Sequence, residues 1–338
     1  MAKNTKKEDR RRKKMFLMIF MILFVGIVLT ASTYAWFTTN SSVTVNSLDV
    51  NVSTSEGLQI STDAVKWSSV VTNDDITSAA WSGVTNQVPS ANLNPVSTAG
   101  ETESGRMKMF LGTVKTDEAD GINKLTTTAE VDKNGTDGNY IAFDVFFRTT
   151  EDKNLYLAEG SKVTYKSGPE GIENAARVAF IKLGNVGYAA EPSSAQALLN
   201  AETPWIWEPN YDSHRLSAVR NATQNYGMDE SAFSGNETAG YTSSKLEYVG
   251  VKSAFSTPVV LKNQDEDKFA AVTTIETPKS GITEAEYKQT ISISAGITKV
   301  RIYMWIEGQD IDCEDLASSG NITFDLQFSI KENANAAA

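Results

Sequence analysis

Few residue types in this chain could carry catalysis, because its 338 residues include one histidine, His214, and one cysteine, Cys313. A Ser-His-Asp site would have to use His214, and no nucleophile-elbow motif lies near it. No local pattern brings Cys313 to His214 for a Cys-His pair. A His-based zinc site needs more histidines, and no glycine-rich phosphate-binding motif is present. We therefore expect no catalytic residue, no bound organic cofactor and no enzymatic activity.

Closely spaced oxygen ligands occur in one turn-rich segment, residues 132–139. Four side chains there offer oxygens of the kind that calcium prefers: Asp132, Asn134, Asp137 and Asn139. The spacing is not that of an EF-hand, and Asp-Gly and Asn-Gly pairs are common at hairpin tips, so a plain turn is the alternative. A second acidic cluster is open to either helix capping or metal binding: Asp310, Asp312, Glu314 and Asp315.

The front of the chain has the composition of an export signal. Eight Lys and Arg residues precede the uncharged run 15–31, and small residues follow it up to Ala35. This order predicts a signal peptide over residues 1–35, cut by signal peptidase between Ala35 and Trp36. At ~1.5 Å per residue the run spans only ~25 Å, so a retained membrane anchor is the alternative. Either outcome passes the precursor through the membrane and predicts a secreted or cell-surface protein.

The charge of the remaining chain restricts its partners. Residues 36–338 contain 23 basic and 40 acidic side chains, a formal charge of −17. Such a surface repels phosphate backbones, so we expect no nucleic-acid partner. A single cysteine also excludes an intrachain disulfide, and an exported chain of this size without disulfides fits a bacterium best.

Apolar alternation predicts a mainly β protein, an antiparallel β-sandwich or jelly-roll with a few short helices. The segment 140–148 is apolar on both faces, as in a central strand, whereas 322–330 alternates strictly. We divide the chain into an N-terminal extension, a β domain with two long loops and a disordered tail. Their ranges are 36–47, 48–332 (loops 62–106 and 202–250) and 333–338. Short helices are expected at 193–201, 265–271 and 282–290.

The apolar pattern slips by one residue near the start of the β domain. Val43 and Val45 share one phase, whereas Leu48 and Val50 share the other. Because strand alternation has a period of two, this slip predicts a bulge at residues 46–47. A polar run at 53–57 then predicts a hairpin over residues 48–60.

Aromatic residues are concentrated in the two long loops. Trp67 and Trp81 are expected to pin the first loop to the domain. The second loop holds Trp205, Trp207, Tyr211, His214, Tyr226, Phe233, Tyr241 and Tyr248. Exposed rings there would suit glycan stacking or a partner contact, and a loop anchored by its own rings is the alternative.

The N-terminal order of features resembles one known family. An apolar leader, a small-residue hinge, the Ala-Trp-Phe-Thr-Thr-Asn sequence of residues 35–40 and a Val/Leu-alternating strand are similar to the TasA/camelysin family of Gram-positive bacteria. The resemblance lies mainly in residues 15–60. The length of the chain and the segment 202–250 differ from the small members of that family.

This resemblance implies a secreted structural subunit of an extracellular fibre, in a biofilm matrix or pilus-like. Such subunits form a head-to-tail homopolymer by donor-strand complementation, each giving its N-terminal strand to the next. The anchors of the donor strand would be Trp36, Phe37, Val43 and Val45. A free strand suits an unpaired sheet edge, because backbone pairing supplies affinity and side-chain pockets supply register. The alternative is a monomeric, membrane-anchored adhesin that binds cell-wall or host glycans through 202–250.

Overall fold

The computed structural model describes most of the chain from residue 43 onwards. The described ranges are 43–52, 57–168, 170–226, 228–236, 240–243, 246–260, 267–276, 291–314 and 319–330. Four predicted features lie outside them: the signal peptide 1–35, its cleavage site at Ala35 and Trp36, the helix at 282–290 and the tail 333–338. Within these ranges the chain is mainly β, with several sheets and few helices, as the sequence predicts. None of the described helices is long and apolar enough to cross a bilayer.

The first large sheet, sheet I, contains both the first and the last described strand. Its strands are β1 (Thr44–Val52), β3 (Val70–Val71), β10 (Lys153–Leu157), β11 (Lys162–Ser167), β21 (Ile291–Ile293) and β23 (Asn321–Ser329). They lie in the order β21-β10-β23-β1-β3, with β11 also paired to β23. β1 runs parallel to β23, while the other pairs are antiparallel. The register shifts between Val45 and Ser47, which confirms the bulge.

The second large sheet, sheet II, carries the longest strands. Its strands are β2 (Gln59–Ser61), β9 (Ile141–Thr149), β12 (Ala176–Val186), β13 (Trp205–Glu208), β20 (Thr274–Glu276) and β22 (Gly296–Ile306). The order is β2-β9-β22-β12-β13-β20, antiparallel except for the parallel pair β13 and β20. β9 is buried on both faces along nearly its whole length, which confirms the central strand predicted at 140–148.

The hairpin predicted at 48–60 is wrong, because β1 and β2 belong to different sheets. Leu48 and Val50 of β1 and Leu58 and Ile60 around β2 all enter one apolar core cluster. The chain therefore crosses from sheet I to sheet II between these strands. Because the chain crosses, the apolar side chains of both strands are buried in one core. The gain from this burial outweighs the short separation in sequence that would favour a hairpin.

The main core is built from the facing side chains of sheets I and II. Sheet I contributes side chains such as Phe324, Leu326 and Phe328, and sheet II contributes Phe143, Phe147 and Ile302. The ring of Phe328 makes edge contacts with Phe147 at 5.3 Å and Phe180 at 5.4 Å between centroids.

The opposite face of sheet II is also covered. A second apolar cluster there joins Tyr303 and Trp305 of β22 to Val96, Met107 and Met109. These last residues lie on or beside sheet III, which has the order β18-β8-β7-β4. Its strands are β4 (Val96–Ser97), β7 (Met109–Thr116), β8 (Asn123–Glu130) and β18 (Phe255–Val260). The polar side chains of β22 that point this way are thus enclosed.

Three smaller sheets complete the described strands. β5 (Thr102–Glu103) pairs with β6 (Arg106–Met107), and β17 (Tyr248–Val251) pairs with β19 (Phe269–Val272). The third has the order β14-β16-β15, with β14 (Ser213–His214), β15 (Phe233–Asn236) and β16 (Gly240–Ser243).

Three short α-helices are described: α1 (Asn73–Ser78), α2 (Pro192–Gln196) and α3 (Leu216–Tyr226). Two 3₁₀ turns lie at Ile172–Ala175 and Glu230–Ala232. The helix expected at 193–201 is shorter than predicted, since it ends at Gln196. Residues 269–271 of the helix expected at 265–271 lie instead in strand β19, because Phe269 packs into the apolar cluster of sheet III.

Both segments that the sequence presents as long loops contain strands and a helix. In the first, the Arg148 guanidinium lies 4.2 Å from the centre of the Trp67 ring, and Trp81 meets Phe146 edge-on at 6.2 Å. These contacts confirm that the two tryptophans pin 62–106 to sheet II.

Candidate functional site

The described part of the predicted donor segment is paired within its own chain. Val43 is fully buried and exchanges two backbone hydrogen bonds with Leu93, at 2.9 and 2.7 Å. Val45 pairs with Ile322 of β23. The other two predicted anchors, Trp36 and Phe37, lie outside the described residues.

Strand β1 has a complete neighbour on only one side. β23 follows it along its length, whereas β3 pairs with it only at Val50 and Asn51. Within the described ranges, residues 45–49 have no strand on that second side. Unpaired backbone groups on such an edge are a template for another strand.

The side chain of Asp132, the first predicted calcium ligand, is occupied by other partners. Its Oδ2 lies 2.7 Å from Arg301 Nη2 and 3.2 Å from Arg106 Nε, and it accepts from Tyr303 Oη at 2.7 Å. Its Oδ1 accepts from Tyr140 Oη at 2.9 Å.

The other three predicted ligands do not join Asp132. Asn134 and Asp137 are exposed, and Asn139 bonds to Asn94 and Glu130. Across the described ranges, no group of three or more His, Cys, Asp or Glu side chains could hold a metal ion. Both carboxylate oxygens of Asp132 are thus engaged within the protein, in an ion pair and in hydrogen bonds.

Asp132 belongs to a buried charged network on the covered face of sheet II. Arg301 Nη1 also lies 2.8 Å from Asp144 Oδ1, and Lys299 Nζ lies 3.2 Å from Asp144 Oδ2. Asp144 and Arg301 are fully buried. Burial favours the neutral form of Asp144, but Arg301 and Lys299 outweigh it and hold the pKa of this carboxyl below its usual value.

A second charged network lies where β12 meets the segment 307–314. Arg177 Nη2 is 2.6 Å from Glu208 Oε1 and 2.5 Å from Asp310 Oδ2. Nearby, Glu307 Oε2 accepts from Tyr248 Oη at 2.6 Å and from Trp305 Nε1 at 2.9 Å. Burial raises the pKa of Glu307 to about 7, although these hydrogen bonds and Arg177 favour its charged form.

His214 lies at one side of this second network, between a carboxylate and a hydroxyl. Its Nδ1 is 2.8 Å from Asp312 Oδ2, and its Nε2 is 2.8 Å from Ser243 Oγ. Asp312 is fully buried, and its Oδ1 accepts the Arg215 backbone N–H at 2.9 Å, just before α3. One carboxylate of the acidic cluster thus bonds the backbone immediately before a helix. Asp315 lies outside the described residues.

Local strand geometry explains why His214 and Ser243 meet. In the antiparallel pair β14 and β16, His214 is opposite Tyr241. Side chains alternate along a strand, so residue 243 lies on the same face as Tyr241 and diagonally next to His214. The edge of the Phe233 ring closes the other side of the imidazole, at 5.6 Å between centroids.

The charges around His214 favour its protonated form. Burial opposes protonation, but the hydrogen bond and charge of Asp312, helped by Asp310 and Glu208, outweigh burial and raise the pKa of His214. For Asp312, burial disfavours the charged carboxylate and therefore raises its pKa. The pair therefore holds a proton more firmly than a free imidazole does.

A cavity of about 40 Å³ opens beside His214. Its walls include Arg177, Tyr248 and Gln309. The Gln309 side chain is buried, and within the described residues neither its Nε2 nor its Oε1 has a hydrogen-bond partner. Buried amides are nearly always bonded, so this cavity is suited to a polar guest.

The aromatic side chains of 202–250 that the structure describes do not form an exposed stacking surface. Trp207, Phe233 and Tyr248 are buried, and Tyr248 donates its hydroxyl proton within the second network. Trp205 and Tyr211 are half-buried. The segment is anchored by its own rings, and the described rings give the predicted glycan site no support.

Sequence reasoning missed both charged networks and the partners of His214. Their residues come from distant parts of the chain: 157 positions separate Asp144 from Arg301, and 98 separate His214 from Asp312. One signal was available, since charged Asp144, Lys299 and Arg301 stand inside strands that are otherwise almost wholly apolar. A charge in a doubly covered strand requires a partner.

No protein-family model matches this chain, and no curated protein or solved structure is significantly similar to it.

Proposed function

We propose that the protein is a secreted structural subunit of an extracellular fibre, which polymerises by donating its N-terminal segment to the next subunit. The observation that carries this proposal is that residues 45–49 of β1 have no strand among the described residues on their second side. We further interpret sheets I and II, which share one apolar core, as a β-sandwich.

The lengths of the two partners are compatible. Residues 36–42 immediately precede β1 and, fully extended, reach at most ~25 Å. The open edge of five residues is ~17 Å long. The seven-residue segment of one copy is thus long enough to cover the edge of another.

The donor and the acceptor are different surfaces of the same chain. The donor is 36–42 and the acceptor is 45–49, so a pair of subunits keeps one free acceptor on one copy and one free donor on the other. Repeating such a head-to-tail contact gives a filament, except where the rotation between successive copies closes a ring. In this arrangement Val43 and Val45 fix the base of the donor within its own subunit.

Deleting residues 36–42 from the mature chain should abolish filaments and leave a folded monomer. Val43, the first described core residue, is retained, so the fold is preserved. Negative-stain microscopy and sedimentation measure the assembly, and circular dichroism measures the fold. Because the shortened chain keeps its acceptor edge, adding it to the full mature chain should also cap growing filaments.

The matched control removes residues 333–338, at the other end of the chain, and should still polymerise. Filaments formed by the protein without 36–42 would refute donation by this segment. Failure of the mature chain itself to polymerise under any condition would refute the fibre function.

A further inference from the structure

We propose that Ser243, His214 and Asp312 form a Ser-His-Asp site that hydrolyses acyl esters. Ser243 acts as the nucleophile, His214 as the general base and Asp312 as the positioning residue. This activity goes beyond the fibre function and does not depend on it.

The hydrogen bonds place each group in the role that this chemistry needs. With its proton on Nδ1, His214 donates to Asp312 Oδ2 at 2.8 Å, which leaves Nε2 free to accept the Ser243 hydroxyl proton at 2.8 Å. Nucleophile, base and orienting group within hydrogen-bond reach are the signature of an activated serine, and it is recognised by geometry rather than by sequence order.

The solvent exposure of the three side chains increases from the orienting group through the base to the nucleophile. Asp312 is fully buried, His214 is 8% exposed and Ser243 is half-buried. The Arg215 backbone N–H fixes the second oxygen of Asp312 at 2.9 Å. The orienting carboxylate is thus held rigidly, while the hydroxyl lies nearest to solvent, where a substrate can arrive.

The general base, His214, lines a small cavity. Its volume of about 40 Å³ is that of a few water molecules. Its wall carries the unpartnered amide of Gln309, which is 6% exposed. A carbonyl or ester oxygen would give that buried Nε2 donor the acceptor that the described protein residues do not supply.

The reaction balances with water as the only co-reactant. Ser243 Oγ forms a bond to the ester carbonyl carbon as its proton passes to His214 Nε2. The bond from that carbon to the alkoxy oxygen then breaks, and His214 returns the proton to the leaving alcohol. Water, deprotonated by His214, next attacks the acyl-serine, which releases the carboxylic acid and restores the Ser243 hydroxyl.

The base must be neutral to act, which sets a pH dependence. The charged groups around His214 are Asp312, Asp310 and Glu208, with Arg177 and Glu247 in the wall of the cavity. The first three favour the imidazolium ion, so the rate should rise with pH as this ion loses its proton.

The test uses the mature chain with two probes, p-nitrophenyl acetate and a fluorophosphonate. We expect hydrolysis of the ester and one phosphonyl adduct per chain, located on Ser243 by peptide mass spectrometry. S243A should abolish the adduct and lower kcat/KM by at least about 100-fold. D312N should lower the rate and move the midpoint of the pH profile to lower pH, because the imidazolium ion loses its counter-charge.

S234A is the matched control, since it removes an exposed hydroxyl from the neighbouring strand β15 and should leave both readouts unchanged. Circular dichroism of each variant separates loss of chemistry from loss of fold. A folded wild-type chain that takes no adduct, an adduct on another residue, or equal hydrolysis by S243A would each overturn the proposal.

Discussion

Arg301→Met should lower the free energy of unfolding by roughly 3–5 kcal/mol, the cost typical of breaking a buried ion pair from one side. The substitution keeps an apolar side chain of similar length on β22 but removes the guanidinium. Two carboxylates would then lose their closest cation, since Arg301 lies 2.8 Å from Asp144 and 2.7 Å from Asp132.

The remaining partners compensate only in part. Asp144 would retain Lys299 at 3.2 Å, whose own pKa burial lowers, and Asp132 would retain Arg106 at 3.2 Å. The backbone oxygen of Thr85 would also lose the proton that Arg301 donates at 2.9 Å. The loss is large because these groups are screened from water by the segment 62–106.

Urea denaturation followed by tryptophan fluorescence measures this effect. Lys153→Met is the control, because it breaks an ion pair of similar length, 3.1 Å from Glu151, whose members are 30% and 72% exposed. It should cost less than about 1 kcal/mol. The double variant D144N/R301M should recover part of the loss, since it also removes one of the stranded charges. An Arg301→Met cost no larger than that of the control would contradict the structural role of this network.

The stability of the protein should fall as the pH rises from about 5 to about 8, with Glu307 contributing roughly 2–3 kcal/mol of the change. Burial raises the pKa of Glu307 from 4.5 to about 7 in the folded protein. Between those values the folded state holds a proton that the unfolded state has released. Unfolding therefore releases a proton, and its free energy decreases as the pH increases.

His214 and Asp312 act in the same direction. The pKa of each is raised by folding, so each favours the folded state at low pH and loses that contribution as the pH rises through its folded value. Asp144 does not oppose this trend. Its pKa is lowered in the folded protein, so its contribution to stability is already complete above the pH range in which free carboxyls titrate.

Urea titrations at several pH values, compared between the wild type and Glu307→Gln, isolate the contribution of Glu307. The amide keeps an oxygen for Tyr248 and Trp305 but does not titrate, so the variant should show a shallower decline. Glu151→Gln is the control, because its side chain is 72% exposed and its loss should leave the slope unchanged. Equal slopes in the wild type and Glu307→Gln would contradict a raised pKa in the folded state.

How much of the fold the sequence predicts depends on whether a feature is local. The alternation in β23, the doubly apolar run of β9 and the one-residue slip in β1 follow from period two, and the structure has all three. The partner of β1 does not follow from its sequence. Its parallel pairing with β23, about 276 positions away, is chosen by the core that both strands share.

The candidate sites show the same division. The sequence alone determined that the chain is mainly β, that charges stand inside its central strands and that one histidine is available. The tertiary structure alone decided that Asp132 pairs with Arg301, and that His214 meets Asp312 and Ser243. The physical reason is that hydrophobic periodicity specifies which face of a strand is buried, whereas which buried polar groups meet depends on strand partners that only the assembled core selects.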